Sequence, residues 1–488
     1  MWSVGSLHLS VDAAGWQGDM RASVAYSVRD GDVEEETAAM PSDYLTTLAE
    51  FACATRLADL PPALRERGRW IIADSVGAIA GGMQVPEMKA FVVKHLTGRQ
   101  PGVASVIGGG VAADPRDAAL LNGTAGTWLE QDEGNLYAKG HPGIQVVPAA
   151  LAVAQANRLS GADALLALIL GYEISARINR ASNSRIAFHP HGTYGVLGAA
   201  VAVGKLMGYD AARMRQLLNV SATCGVATSR NAIVEGVTVR NIYTGMSGYM
   251  GQIACEMVDS GFTGEHDGVG YIFGKIYGDG FDPAATVAGL GSEYLTARSY
   301  FKIHACGRYI HSALDLIEDL LAERGRLDPA AIEAIAFNGY SFVASLHRQE
   351  CKTSFDARFS VPFATASLIV HGKAGLENFE QPAVDNPAVQ ALARRVTVRE
   401  RPDYTAAFPH KQLVDVTVTL RDGTVLKAKG EHTKGEAERP HHPDELREKF
   451  LALSAGAWPR AQAGAFLDKL LALEQVPDLQ AAWREHGI

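Results

Sequence analysis

The sequence predicts a mainly α-helical protein in which a smaller α+β domain is inserted before the last helices. Three observations lead to this prediction. Apolar residues recur at three- and four-residue spacing from Pro41 onwards, several of these segments are rich in Ala and Gly, and strand-like alternation appears only after about residue 290. The chain has 488 residues, 47% of them hydrophobic, which is enough for a large core and two domains.

The beginning of the chain differs from the rest. Residues 1 to about 40 contain an acidic run at 30–36 and no helical period that lasts several turns. We interpret them as an N-terminal extension that is partly disordered. The first residues lack a basic region and Asp12 interrupts their apolar run, so we do not expect a signal peptide.

A large all-helical domain is predicted for residues 41–291 together with 431–488. Helical spacing begins at Tyr44, and Pro62 opens a second helix. The tail is helical again around residues 443–450 and 461–473, and we expect it to rejoin this domain. Small residues allow helices to approach each other closely. The Ala/Gly-rich segments lie at 76–83, 118–127, 148–156, 162–176, 195–207 and 245–258.

The smaller α+β domain is predicted for residues 292–430. Residues 330–338 and 413–420 alternate as strands do, and Asp422-Gly423 is typical of a hairpin turn. Helical patterns lie between them, around 312–324, 361–371 and 386–394.

Composition limits the function classes. The formal net charge of −9 argues against a nucleic-acid partner, because phosphate binding needs a clustered basic surface. Apolar stretches such as 196–204 end well short of a membrane span, so no membrane partner is expected. The cysteines never form a CxxC pair, which favours a reducing cytoplasm and no metal or other cofactor. They are Cys53, Cys224, Cys255, Cys306 and Cys351.

Three polar loops carry histidines, and each loop opens a helix. The first contains Glu130, Asp132, Glu133 and His141. The second contains His189 and His191, and the third runs from Lys302 through His304 to His311. Carboxylates beside imidazoles suit proton transfer, so we expect one convergent site. The alternatives are a solvated acidic loop and histidines that only cap or fill the core.

Several segments together resemble the MmgE/PrpD family from about Pro41 to the C-terminus. The matching segments, in order, are 122–125 with the acidic loop and 141–143, then 189–195, 240–245, 260–264, 306–315 and 356–362. The family includes 2-methylcitrate dehydratases, cis-aconitate decarboxylases and an iminodisuccinate epimerase. The resemblance implies a helical domain with an α+β lid, a homodimer, and a metal-free site in the cleft between the two domains.

The resemblance also implies roles for individual residues. The catalytic residues would be His141, His189, His311, Glu130 and Asp132, and the substrate-binding residues Arg240, Lys302, Glu133, His191 and Tyr243. Three positions depart from the family pattern: Glu130 replaces an Asp, Gly134 stands where some members have Thr, and Arg240 stands where many have Lys. These departures indicate a different substrate from that of the best-known members.

The reactions of this family form or quench a carbanion next to a carboxylate, which requires a general base and cationic donors. Either His141 or His189 would be the base and the other an acid or donor, with Arg240 and Lys302 as anchors of a substrate carboxylate. The leading prediction is dehydration of a 2-methylcitrate-like hydroxy acid. Decarboxylation of a cis-aconitate-type acid, epimerisation, and an inactive binding homologue are the alternatives. Arg240 has its own alternative, a structural ion pair.

Overall fold

Helices dominate the structure, a computed structural model that describes residues 43–486. It is 57% helical and 10% strand, which confirms the predicted mainly α class. The extension predicted for residues 1–40 lies outside the described residues. Within 43–486, no helix combines the length and the apolar character that crossing a membrane requires.

The helices before residue 290 account for most of the described chain in that region. They are α1 Tyr44–Ala54, α2 Pro62–Gly82, α3 Pro86–Leu96, α4 Pro115–Gly126, α5 Pro142–Ala156, α6 Gly161–Ala181, α7 Tyr194–Leu206, α8 Ala211–Ala222, α9 Asn231–Val234, α10 Ile242–Asp259, α11 Gly268–Tyr271 and α12 Pro283–Val287. Proline at the first position starts α2, α4 and α5, where its missing N–H has no intrahelical partner to lose.

The later helices alternate with strands and then close the chain. They are α13 Arg308–Arg324, α14 Ser341–Ala344, α15 Ser354–Arg358, α16 Val361–His371, α17 Gln381–Val384, α18 Pro387–Ala393, α19 Pro402–Ala407, α20 Pro443–Ser454, α21 Arg460–Leu471 and α22 Leu479–Glu485. The strands are β1 Ala104–Val106, β2 Val111–Ala113, β3 Ser182–Ser184, β4 Gly278–Phe281, β5 Ile332–Gly339, β6 Val396–Glu400, β7 Val414–Leu420 and β8 Val425–Gly430.

Glycines bring α4 and α10 into direct backbone contact. A Cβ atom on Gly123 would lie 2.7 Å from the Cα of Gly245, and one on Gly245 would lie 2.2 Å from the carbonyl oxygen of Leu120. Neither position has room for a side chain. The predicted close approach of the Ala/Gly-rich helices is therefore confirmed for this pair.

The largest sheet has four strands in the order β6-β5-β7-β8. Strand β5 pairs in parallel with β6 and antiparallel with β7, and β7 turns into β8 through Asp422 and Gly423. The predicted strands at 330–338 and 413–420 are confirmed. Strand β6 was not predicted, because only Val396 of its five residues is buried and the apolar alternation is correspondingly weak.

Two of the three apolar cores within residues 43–486 show how the later part of the chain is divided. One is formed between the sheet and helices α13 and α16, with Leu314, Phe337 and Val416 among its members. The C-terminal helices belong to the other core, where Phe450 and Trp483 join residues of α2, α5 and α6. The domain boundaries at 291 and 431 stay predictions.

A buried ion pair on α6 holds the segment that leads into the third histidine loop. Arg177 Nε lies 2.7 Å from Glu173 Oε1, and both side chains are almost completely buried. The guanidinium also donates to the carbonyl oxygen of Ala288 at 2.8 Å, and Glu173 accepts from the backbone N–H of Thr296 at 2.9 Å. The pair therefore fixes residues 288–296, just before Tyr300 and Lys302.

Arg177→Met should destabilise the protein by about 3–5 kcal/mol, because Glu173 would remain buried without its cation. The free energy of unfolding can be measured from urea denaturation. Arg460→Met is the control, since Arg460 pairs with Glu448 on the surface, and it should leave the denaturation midpoint unchanged. Equal midpoints for the two variants would refute the proposed fixing role of Arg177.

Candidate active site

A cavity of about 220 Å³ lies where the histidine loops meet the beginning of α13. Five of the ten predicted site residues line it: Glu130, His141, His189, His191 and Arg240. The opposite wall is formed by residues after 299, including Tyr300, Arg308, Phe342 and Leu346. The structure thus brings half of the predicted site together, between segments that are more than one hundred residues apart in sequence.

His141 stands at the entrance to α5 with its Nδ1 atom facing two oxygen atoms. Its Nδ1 atom lies 3.0 Å from Asp132 Oδ2 and 2.7 Å from the carbonyl oxygen of Glu133. When Asp132 is ionised, both oxygen atoms near Nδ1 are acceptors and cannot donate, so Nδ1 carries the proton of the neutral ring. Nε2 then has a free lone pair. This is the orientation that a general base requires.

Asp132 is completely buried, yet it is an anion. Burial alone would raise its pKa, but the nearby His141 and Lys302 together lower it below the usual range. Lys302 Nζ lies 3.4 Å from Asp132 Oδ1 and 3.5 Å from Glu130 Oε2. Lys302 is therefore engaged by the acidic loop and does not line the cavity, so its predicted role as a substrate anchor stays a prediction.

Glu130 and Arg240 form a second buried ion pair, and both line the cavity. Arg240 Nη1 lies 2.5 Å from Glu130 Oε1 and donates to the carbonyl oxygen of Thr127 at 3.3 Å. Glu130 has a left-handed backbone with φ of 55°, which a non-glycine residue adopts at an energetic cost. Burial raises the pKa of Glu130, but the charges of Arg240 and Lys302 lower it by more than burial raises it. The carboxylate is therefore ionised. Arg240 thus forms the structural ion pair that was the alternative to substrate binding, and it also lines the cavity.

His189 has the opposite tautomer to His141. The backbone N–H of His191 donates to His189 Nδ1 at 3.1 Å, so the proton of the neutral ring is on Nε2. Burial lowers the pKa of His189 well below its ordinary value, and the cations Arg240 and Arg230 lower it further. His189 is consequently a neutral hydrogen-bond donor. The ring of Tyr243 lies 5.9 Å from it and outside the cavity lining.

His191 lies between the other two imidazoles. Its ring centroid is 5.0 Å from that of His141 and 4.3 Å from that of His189. Among the described residues, neither of its ring nitrogens has a hydrogen-bond partner. Since it is buried at the cavity, a substrate or water is the natural partner for these atoms.

Glu133 lies behind the cavity, where it holds the beginning of α5. Its Oε1 accepts from the N–H of Gly143 at 2.5 Å, and Tyr172 donates its hydroxyl to Oε2 at 3.1 Å. A Cβ on Gly143 would come within 2.3 Å of that oxygen, so only glycine permits this approach. Burial raises the pKa of Glu133 to about 8. Its predicted role in substrate binding stays a prediction.

His311 is in the first turn of α13 but does not line the cavity. Its Nε2 lies 3.3 Å from the carbonyl oxygen of Cys306, and its ring centroid is 5.0 Å from that of His304. Burial, followed by the neighbouring His304, lowers its pKa well below the ordinary value. The structure therefore separates His311 from the other two catalytic histidine candidates, His141 and His189, and its catalytic role stays a prediction.

The cavity wall also contains residues outside the predicted catalytic and substrate-binding set, among them Arg230, Tyr300 and Arg308, of which Arg308 was expected only as an anchor in place of Arg240. Arg308 stacks over the ring of Tyr300 at 4.3 Å and pairs with Glu436 at 2.9 Å. A Cβ on Gly134 would lie 2.3 Å from the Tyr300 hydroxyl oxygen, so the glycine at this position makes room for Tyr300. Gly134, which departs from the family pattern, was therefore a sign that a side chain packs closely here. The sequence did not show that this side chain is Tyr300.

Among residues 43–486, two groups of side chains have a geometry that could hold a metal ion: His304, Asp315 and Glu318, and His432, Glu436 and Glu438. Neither group lines the cavity. Their carboxylates already have cationic partners, since Lys434 binds Glu318 at 2.9 Å and Arg308 binds Glu436. These pairs make both groups poor matches for a resident metal.

The sequence of the MmgE/PrpD N-terminal domain is matched at residues 46–272, and that of the MmgE/PrpD C-terminal domain at 304–475. The chain belongs to the MmgE/PrpD family. A cis-aconitate decarboxylase of Aspergillus terreus is 24% identical over 451 residues, which cover 86% of this chain and 91% of the relative. One from Homo sapiens is 24% identical over 353 residues, covering 69% and 72%. The predicted homodimer and cytoplasmic location stay predictions.

The raised pKa of Glu133 gives a prediction about stability and pH. A group that binds its proton more tightly in the folded state stabilises the protein fully below its ordinary pKa of 4.5, and this contribution is lost as the pH rises to about 8. Glu133→Gln keeps a neutral amide in place and should remove this loss, which is at most about 1.4 kcal/mol per pH unit. Urea denaturation between pH 5 and 9 measures the slope.

The control for this experiment is Glu350→Gln, because the Glu350 side chain is 70% exposed. It should keep the slope of the wild type. The same slope in Glu133→Gln would show that the Glu133 carboxyl group is ionised throughout.

Proposed function

We propose that this MmgE/PrpD protein is a lyase that acts on a small di- or tricarboxylic acid by proton transfer at a carbon next to a carboxylate. The observation that carries the proposal is the buried Asp132–His141 pair, with the lone pair of Nε2 left free beside a cavity lined by cations. Family membership and relatives named cis-aconitate decarboxylases support the lyase class.

The ionised carboxylate of Asp132 lets His141 act in either direction of proton transfer. It keeps Nδ1 protonated, and it stabilises the imidazolium that forms when Nε2 takes a proton from carbon. The electron pair left on carbon is delocalised into the adjacent substrate carboxylate, where developing charge needs donors. Arg240 and the neutral Nε2–H of His189 are at the cavity to supply them.

Decarboxylation of a cis-aconitate-type acid is the leading reaction within this class, on the strength of the relatives' names. Loss of carbon dioxide would leave an electron pair that shifts through the double bond to the carbon next to another carboxylate. That carbon would then take a proton from Nε2 of His141, which the imidazole first acquires from water.

Dehydration of a 2-methylcitrate-like hydroxy acid is the second candidate, and the tautomer of His189 favours it. Here His141 would remove the proton next to the carboxylate. The hydroxyl group would leave as water by taking that proton from the imidazolium of His141, while Nε2–H of His189 donates a hydrogen bond to the departing oxygen. Both reactions pass the proton through His141 and use His189 as a neutral hydrogen-bond donor.

Mass spectrometry of reactions in heavy water tests the proposal and distinguishes its two versions. The full-length protein is incubated with cis-aconitate and with 2-methylcitrate. Decarboxylation should give a product lighter by carbon dioxide with one carbon-bound deuterium, whereas dehydration should give a product lighter by water. If the folded protein changes neither these acids nor related di- and tricarboxylates, the proposal is wrong.

Asp132→Asn should lower kcat by roughly 10²–10⁴-fold, because an amide no longer selects the His141 tautomer or stabilises its imidazolium. His141→Gln should lower it at least as much. The matched control is Asp117→Asn, because Asp117 also pairs with an imidazole, that of His95 at 2.9 Å, but outside the cavity lining. Steady-state kinetics with melting curves check the outcome. An unchanged kcat in folded Asp132→Asn would exclude the dyad.

A further inference from the structure

The cavity wall contains more positive than negative charge. Its lining includes Lys139, Arg230, Arg240 and Arg308, but Glu130 is its sole carboxylate among the residues that the structure describes. Three of the cations have protein partners. Lys139 donates to the carbonyl oxygen of Ser182 at 2.6 Å, Arg240 pairs with Glu130, and Arg308 pairs with Glu436.

Arg230 is the exception. Within residues 43–486, its guanidinium has no carboxylate and no carbonyl oxygen as a partner, and its Nε atom is buried without a hydrogen bond. The side chain as a whole is half-buried. Guanidinium groups that are withdrawn from water are normally paired, because leaving their donors unsatisfied costs free energy. An unpaired guanidinium in a cavity wall therefore indicates an anionic ligand.

Backbone hydrogen bonds fix where Arg230 stands. The segment before α9 runs alongside the second histidine loop: the N–H of His189 donates to the carbonyl oxygen of Thr228 at 3.3 Å, and the N–H of Arg230 donates to that of Ala187 at 3.1 Å. Phe188 and Ser229 form a β-bridge between them. Arg230 is consequently held beside His189, close enough for its charge to contribute to the lowered pKa of that imidazole after burial and Arg240.

We propose that Arg230 binds a second carboxylate of the substrate, one that does not react, while the reacting carbon lies at His141. This inference rests on the proposed function and deepens it by naming the residue that recognises the second carboxylate, because Arg230 would stay unpaired with a monocarboxylic acid. The planar guanidinium matches a carboxylate through two parallel hydrogen bonds. Arg230 is thereby a specificity residue, separate from the proton-transfer pair.

Calorimetry with an unreactive ligand tests the inference without relying on turnover. Propane-1,2,3-tricarboxylate is saturated and has no hydroxyl group to lose, and its central and terminal mono-amides each lack one carboxylate. Wild-type protein should bind the triacid, and Arg230→Gln should bind it about tenfold to 100-fold more weakly. For one mono-amide the two proteins should bind equally, since the carboxylate that Arg230 contacts is then absent.

Arg185→Gln is the matched control. Arg185 lies just before the same loop and its loss changes the net charge equally, but it pairs with Asp279 on the surface at 2.7 Å. Its affinity for the triacid should equal that of the wild type. Arg230→Lys keeps the charge and loses the fork, so its affinity should lie between those of the wild type and Arg230→Gln. It also provides the comparison if Arg230→Gln does not fold.

The outcomes separate this inference from the proposed function. If wild-type protein binds none of the carboxylic acids, the proposed function is wrong, and so is the proposed role of Arg230 in binding a substrate carboxylate. If wild-type protein binds the triacid and folded Arg230→Gln or Arg230→Lys binds it equally well, only the role of Arg230 is refuted. Equal weakening for the triacid and both mono-amides would also refute it, because Arg230 would then act through the general electrostatic potential of the cavity.

In turnover, Arg230→Gln should raise KM and have a smaller effect on kcat.

Discussion

The site depends on a group of buried charges that no single segment of the chain could support. Lys302 is completely buried and lies within 3.5 Å of both Glu130 and Asp132, while Arg240 and His141 take up the remaining faces of these two carboxylates. Burying two carboxylates costs free energy unless cations and hydrogen bonds replace their contacts with water. Each charged residue of the group can therefore be buried only because the others are present.

This mutual dependence explains why so many elements converge on residues 130–133. Helix α20 contributes Lys449, which donates to the carbonyl oxygen of Gln131 at 2.6 Å and pairs with Asp74 of α2 at 2.5 Å. Arg177 fixes the segment that precedes Lys302, and Glu133 fixes the beginning of α5 beside His141. The loop is held from several directions, which is how Glu130 can keep a left-handed backbone.

The same arrangement divides the histidines by function. His141 is turned by ionised Asp132 so that Nε2 is free, whereas His189 receives a backbone N–H on Nδ1 and keeps its proton on Nε2. A proton acceptor, Nε2 of His141, and a hydrogen-bond donor, Nε2–H of His189, thus face one cavity although both residues are histidines. The proposed second-carboxylate site at Arg230 lies next to His189, on the segment that is hydrogen-bonded to the second histidine loop.

Sequence alone predicted most of the longer helices, the strands at 330–338 and 413–420 and the three histidine loops, because apolar periodicity and turn residues act over a few neighbouring positions. It also brought out Glu130, His141, His189, His191 and Arg240 as cavity residues. The folded chain was needed to show that Lys302 and Glu133 support the loop from behind, that His311 stands apart, and that Arg230 has no partner within the part of the chain that the structure describes. These facts depend on which charges meet across more than one hundred residues of sequence. Ionisation and tautomer follow from such distances and from burial, neither of which spacing along the chain contains.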